Sequence, residues 1–133
     1  MDRLFLDANI LFSASYRPES SLLLLWSLEK VELLTSTHAI EEAYRNLRKY
    51  DPQHISYLDE LIKNVTIVID DVIPKEDPDF ALLPDKDQPI LAAAIAAGAT
   101  HLLTGDRRHF GQWYGMRIKG ILIQPPGDYL KNL

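Results

Sequence analysis

The chain contains no cysteine, which excludes disulfides and thiolate metal sites. Long apolar runs are missing near its start. The longest there, Leu22–Trp26, falls far short of the roughly 20 residues that a membrane span needs. The opening residues, MDRLFLDAN, lack the basic region, apolar stretch and small-residue cleavage site of a secretory signal. A soluble, cytoplasmic protein is the expectation. Positive charge is also scarce: 14 Lys and Arg stand against 19 Asp and Glu, a net charge of −5. That argues against nonspecific nucleic-acid binding by the whole surface. It leaves room for a local basic patch, and for acids gathered to hold cations.

What remains is the composition of a globular protein. With 133 residues, 47% of them hydrophobic and 25% charged, the chain can bury one core, and a single domain over residues 1–133 is expected. No repeat, low-complexity tract or interdomain linker interrupts it.

Arg3–Leu6 is a short apolar stretch ending in Asp7 and reads as a buried strand. Ser20 or Ser21 caps an expected helix to about Lys30. Val31–Thr35 is a second strand, and Ser36 or Thr37 caps a helix to about Lys49. Pro52 interrupts, and a further helix covers Ile55–Lys63. The β-branched run Val65–Ile69 is the strongest strand signal. Residues 70–86, with three prolines and many acids, read as a solvated loop near the site edge. Pro89 suits a first helical turn, and ILAAAIAAG completes an all-apolar, buried helix closed by Gly98. His101–Thr104 is a fourth strand and Ile118–Gln124 a fifth.

Strands alternating with helices predict a three-layer α/β/α sandwich around a mainly parallel sheet of about five strands. Sites in such sheets form beyond the carboxyl ends of the strands. Connectivity then carries four acids to that one edge. Asp7 ends the first strand, and Asp106 lies two residues past the fourth. Asp87 opens the apolar helix, and Glu42 lies in the second turn of the helix after the second strand. Carboxylates this close raise one another's pKa unless a cation compensates. Oxygen ligands without thiolates suit Mg²⁺ or Mn²⁺ rather than zinc. A pair of such ions activates water and stabilises the leaving oxygen in phosphodiester cleavage. Arg107, Arg108 and His109, following Asp106 directly, would hold phosphate beside the ions without being ligands.

Each acid also has a structural alternative. Asp7 can tie a strand end to a helix start, Asp87 or Asp85 can cap a helix, and Asp106 after Gly105 can be turn chemistry. Glu41 and Glu42 flank the apolar stripe Ala39, Ile40, Ala43, Tyr44 and Leu47 on opposite sides, so periodicity does not choose between them. Ser36 is read as a cap, Arg45–Lys49 as a solvated face, and Trp26 and Trp113 as packing residues. His38, His54 and His101 show no ligand spacing.

Taken in order, these segments resemble the PIN domain, the metal-dependent ribonuclease fold that includes VapC-type toxins. LFLDANILFSA resembles its opening strand, acid and helix, and LLTSTHAIEEAYRNL its second segment. DKDQPILAAAIAAGATHLLTGDRRHF, the most specific stretch, resembles its acid, apolar helix, strand and TGD run. The resemblance spans residues 3 to about 124, and its register selects Glu42 over Glu41 and Asp87 over Asp85. It implies a flap-nuclease-like fold, with Mg²⁺ or Mn²⁺ held by Asp7, Glu42, Asp87 and Asp106 as the catalytic acids. Asn9 and Thr104 would orient ligands or a water. It further implies hydrolysis of RNA by metal-activated water, a homodimer, and an antitoxin whose tail enters the site. Two departures stand out. Ala8 replaces a threonine common after the first acid, removing a hydroxyl contact. His109 stands where some members carry another acid, which weakens one metal position. Neither removes a core acid.

Rival readings fare less well. A haloacid-dehalogenase phosphatase wants an acid two residues after Asp7, where Asn9 stands. The DKD of Asp85–Asp87 has the letters of a topoisomerase–primase motif but precedes a helix. A dinucleotide-binding domain needs a glycine-rich first turn, which is missing. The remaining rivals are a catalytically weak PIN-like module that binds RNA or a partner, and acids that serve only as caps.

Overall fold

The computed structural model describes residues 1–69 and 77–133. Their order is β1 (Asp2–Leu6), α1 (Ala8–Tyr16), β2 (Val31–Ser36), α2 (Thr37–Tyr50), α3 (Ile55–Leu61) and β3 (Thr66–Val68). There follow α4 (Pro78–Ala81), α5 (Gln88–Ala96), β4 (His101–Leu103), α6 (Arg107–Phe110), β5 (Arg117–Ile118), β6 (Ile121–Gln124) and α7 (Pro126–Lys131). The six strands form one sheet in the order β3-β2-β1-β4-β6-β5, parallel except for the β5–β6 pair. The expected α/β/α architecture holds.

Strand β1 is the centre of the core. Leu4, Phe5 and Leu6 are all fully buried, as a strand covered on both faces requires. From β1 the chain runs outward through β2 and β3, then returns to place β4 on the other side of β1. The gap between the ends of β1 and β4 is therefore the topological switch point, where side chains from both halves of the sheet meet. The Asp7 N–H donates to the Leu103 carbonyl (3.1 Å), extending the ladder to the first acid itself.

Helix α5 buries Ile90, Leu91, Ala92, Ala93 and Ala94, so its all-apolar composition matches its position. Gly98 at φ +69° closes it. The Ala99 N–H reaches the Ala94 carbonyl and the Gly98 N–H that of Ile95, both at 3.0 Å. This paired 6→1 and 5→2 closure needs a left-handed residue. Arg3 on β1 then donates to the carbonyls of Ala97 (2.7 Å) and Gly98 (3.2 Å), tying the helix's negative end to the central strand.

Three expectations change. The helix expected from Ser20 or Ser21 to Lys30 is instead a 3₁₀ turn over Ser21–Ser27. Five consecutive apolar residues give no 3.6-residue stripe: Leu25 is fully buried while Leu24 is 54% exposed. The expected fifth strand is two strands, because Lys119 (φ 53°) and Gly120 (φ 83°) make the left-handed pair of a tight hairpin between β5 and β6. Within the expected 70–86 loop, residues 70–76 lie outside the described ones. The remainder is not plain coil, since it contains α4 and buries Phe80 and Leu83. Gln88 Nε2 donates to both their carbonyls, at 3.0 and 3.1 Å, which fastens this segment to the start of α5.

Candidate metal centre

At the switch point a cleft of about 110 Å³ opens, lined by Asp7, Ala8, Asn9, Glu42, Asn46, Lys86, Asp87 and Asp106. All four acids expected from the sequence meet there. Glu42 lines it while Glu41 is exposed, and Asp87 lines it while Asp85 is exposed.

Asp7 is almost completely buried, at 5% exposure. One oxygen, Oδ1, accepts from the Ala8 N–H (2.7 Å) and so caps α1. The other, Oδ2, accepts the Thr104 hydroxyl (2.8 Å) and a longer contact from Asn9 Nδ2 (3.5 Å). Burial pushes the Asp7 carboxyl up to about 6, and the charges of Glu42 and Asp87 push the same way, against the two hydrogen bonds. Asp7 is thus at once the cap of α1 and part of the cleft wall.

Thr104 joins the two halves of the sheet. Fully buried, it donates to Asp7 while its oxygen accepts from Asn9 Nδ2 (3.3 Å) and the Asp106 N–H (3.1 Å). Asn9 Oδ1 in turn accepts from the Gly105 N–H (2.9 Å). Asn9 and Thr104 therefore hold the ends of β1 and β4 together and aim Asp7.

Asp87 stands at the N-cap of α5 but makes no side-chain cap bond, so capping does not explain it. Among the described residues its Oδ2 is buried without a hydrogen-bond partner, although His109 Nδ1 lies 3.2 Å away. Distance alone is satisfied there, since the ring nitrogen is engaged by Asp106. Burial raises the Asp87 pKa, with Asp106 and Glu42 adding to the rise and His109 and Lys86 opposing it.

Asp106 caps the short helix α6 by accepting the His109 N–H at Oδ1 (3.2 Å), and its Oδ2 lies 2.8 Å from His109 Nδ1. The three neighbours of Asp106 in sequence now separate. Arg107 and Arg108 are exposed, where a phosphate backbone can reach them. His109 instead turns its ring inward between two acids. The reading that grouped it with the arginines as a phosphate contact does not describe where the ring points.

Two further residues line the cleft. Asn46, within the Arg45–Lys49 stretch read as a solvated face, instead faces the cleft, four residues after Glu42 and one helical turn along the same face. That spacing was the signal available. Lys86 is adjacent to Asp87 and carried none. Ser36 accepts from the Ala39 N–H (3.1 Å) and is the cap of α2, as expected.

A divalent cation fits this donor set. Burial alone opposes ionisation of Asp7 and Asp87, each further opposed by neighbouring acids, and one buried carboxylate oxygen is left unserved. A dication would remove both costs.

Comparison with known proteins agrees with the fold. Residues 3–108 match the family model of the PIN domain. No curated protein sequence matches the chain. The structure of VapBC2 from Rickettsia felis, bound to a promoter DNA fragment, is similar at TM-score 0.70 with 18% identity, over 92% of this chain and 98% of that one. DNA-bound VapBC from Salmonella typhimurium is similar at TM-score 0.68 and 16% identity, over 95% and 99%. VapC20 of Mycobacterium tuberculosis, a toxin that cleaves the sarcin–ricin loop, is similar at TM-score 0.57 and 14% identity, over 77% and 91%.

Proposed function

The chain belongs to the PIN domain family, and from that premise we propose that it is a Mg²⁺- or Mn²⁺-dependent endoribonuclease, the toxin of a toxin–antitoxin pair. The observation that carries this reading is the cleft in which Asp7, Glu42, Asp87 and Asp106 converge around an unserved carboxylate oxygen. These four acids would hold the ions, which when bound supply the Lewis acidity that activates water and neutralises charge on the phosphate.

The chain's own residues do the rest. Ala8 N–H and Thr104 fix both oxygens of Asp7, so the central acid needs no reorganisation when substrate arrives. Asn9 couples that acid to the Gly105 backbone and hence to Asp106. Arg107 and Arg108 would bind phosphates of an RNA strand along the edge of the cleft, giving local positive charge to a chain of net charge −5. Water would attack phosphorus in line, forming a new P–O bond as the bond to the 3′ oxygen breaks, and the 3′ oxygen would take a proton, giving 5′-phosphate and 3′-hydroxyl ends.

The VapBC complexes among the structural neighbours support an antitoxin partner, and the RNA-cleaving toxin among them supports an RNA substrate. A cytoplasmic homodimer of one PIN domain per chain completes the reading. Among the described residues, no helix is long and apolar enough to cross a membrane.

The test is a pool of structured RNAs incubated with Mg²⁺, with Mn²⁺ and with a chelator. Metal-dependent cuts leaving 5′-phosphates are expected. Cuts that persist in chelator, or leave cyclic 2′,3′-phosphates, would refute hydrolysis by metal-activated water. RNA retention without any cut would favour a binding module.

A further inference from the structure

Among the acids of the cleft stands one nitrogen donor. His109 Nδ1 lies 2.8 Å from Asp106 Oδ2 and 3.2 Å from Asp87 Oδ2. We propose that His109 is itself a metal ligand through Nδ1, forming with Asp87 and Asp106 a mixed nitrogen–oxygen site that favours Mn²⁺ over Mg²⁺. This inference rests on the metal-dependent reading above and assigns one further ligand to it.

Proton counting is the first argument. An imidazole nitrogen carries at most one hydrogen, which can point at only one carboxylate. It serves Asp106, and Asp87 Oδ2, on a residue 7% exposed, is left buried and, among the described residues, without a hydrogen bond. A cation in place of that hydrogen would serve both oxygens at once. The neutral ring with its proton on Nε2 presents the Nδ1 lone pair that this requires.

Spacing is the second. Ligand atoms in adjacent positions around one ion, each roughly 2.1 Å from it, sit about 3 Å apart. The two separations from Nδ1 bracket that value, and all three donor residues offer atoms within 4.8 Å of one another. The placement is built by the backbone: Asp106 caps α6 through Oδ1, which leaves Oδ2 for the ring three residues later in the same turn.

Donor chemistry sets the preference. Mg²⁺ favours oxygen and gives up water reluctantly, whereas first-row transition ions accept imidazole readily. An acid in place of His109 would make an oxygen-only site that suits Mg²⁺, and the ring moves the choice toward Mn²⁺.

The test is pulsed electron paramagnetic resonance of the Mn²⁺-loaded protein, made with natural-abundance and with ¹⁵N-histidine. Calorimetric Mg²⁺ and Mn²⁺ titrations of the wild type, His109→Ala and His109→Asp accompany it. Direct nitrogen coupling that changes with the isotope is expected, and His109→Ala should abolish it. The wild type should bind Mn²⁺ about tenfold or more tightly than Mg²⁺, and His109→Asp should narrow that ratio. Mn²⁺ bound without nitrogen coupling, or bound more tightly by His109→Ala, would make the ring a mere counter-ion. That result would overturn this inference while leaving the metal-dependent reading intact. Absence of binding of either ion to folded wild type would overturn both.

Discussion

Thr104 gives its hydroxyl hydrogen to Asp7 Oδ2 at 2.8 Å, so the residue after β4 holds the acid that follows β1. Three groups depend on the Thr104 hydroxyl: Asp7 accepts its hydrogen, and Asn9 Nδ2 and the Asp106 N–H donate to its oxygen. Thr104→Val keeps the shape and leaves buried partners unserved. It should cost about 1–3 kcal/mol of stability and about 10–100-fold in metal affinity. Thr104→Ser should retain most of both. Denaturant melts and calorimetric metal titrations check this, and an unaffected Thr104→Val would remove its positioning role.

Asp7 couples stability to pH and metal. Its pKa is raised from an ordinary 3.8 to about 6, so between those values the folded chain keeps a proton that the unfolded chain has released. Its stabilising contribution is therefore full below 3.8 and is lost as pH rises through about 6. Metal requires the ionised acid and restores stability above that point. The rise in Tm on adding saturating Mn²⁺ should be large at about pH 7.5 and small at about pH 5. Equal rises at both would contradict the role given to Asp7.

Asp87 separates a site from a cap. It makes no cap bond, and its charge is opposed by burial and by neighbouring acids. Asp87→Asn should leave Tm unchanged or higher in the absence of metal, while metal binding and RNA cleavage fall by about 10²-fold or more. Asp85→Asn, on the exposed side, should leave both alone. A loss of stability in Asp87→Asn with cleavage preserved would restore the cap reading.

Glu41 and Glu42 provide the same contrast on one helix. Only Glu42 lines the cleft. Glu42→Gln should weaken metal binding and slow cleavage, and Glu41→Gln should match wild type in both assays.

Away from the site, Gly98→Ala forces a side chain into a backbone at φ +69°. About 1 kcal/mol of stability should be lost, read from a denaturation midpoint. Cleavage by the folded fraction should not change.

Much of this is legible in the sequence alone. Apolar segments ending in acids marked β1 and β4, and alternation of strands with helices placed Asp7, Glu42, Asp87 and Asp106 on one edge. The choice of Glu42 came only with a family resemblance, since Glu41 sits symmetrically about the apolar stripe. What stayed hidden depends on atoms rather than patterns. Nothing in RRH distinguishes two exposed arginines from a histidine turned inward, because that follows from where one turn of α6 points. The Lys119–Gly120 hairpin lacks the usual Asn-Gly or Asp-Gly pair, so two strands read as one. Five leucine and tryptophan residues in a row concealed a 3₁₀ turn, since hydrophobicity without a period specifies burial but not helix type.

The most direct test of the central claim is cleavage of a mixed RNA pool by the wild type, Asp7→Asn and Asp106→Asn, each with Mn²⁺ and each first shown to be folded by a melting curve. The account predicts cuts by the wild type that vanish in both folded variants. Equal cutting by all three would contradict it and place the nuclease activity somewhere other than these acids.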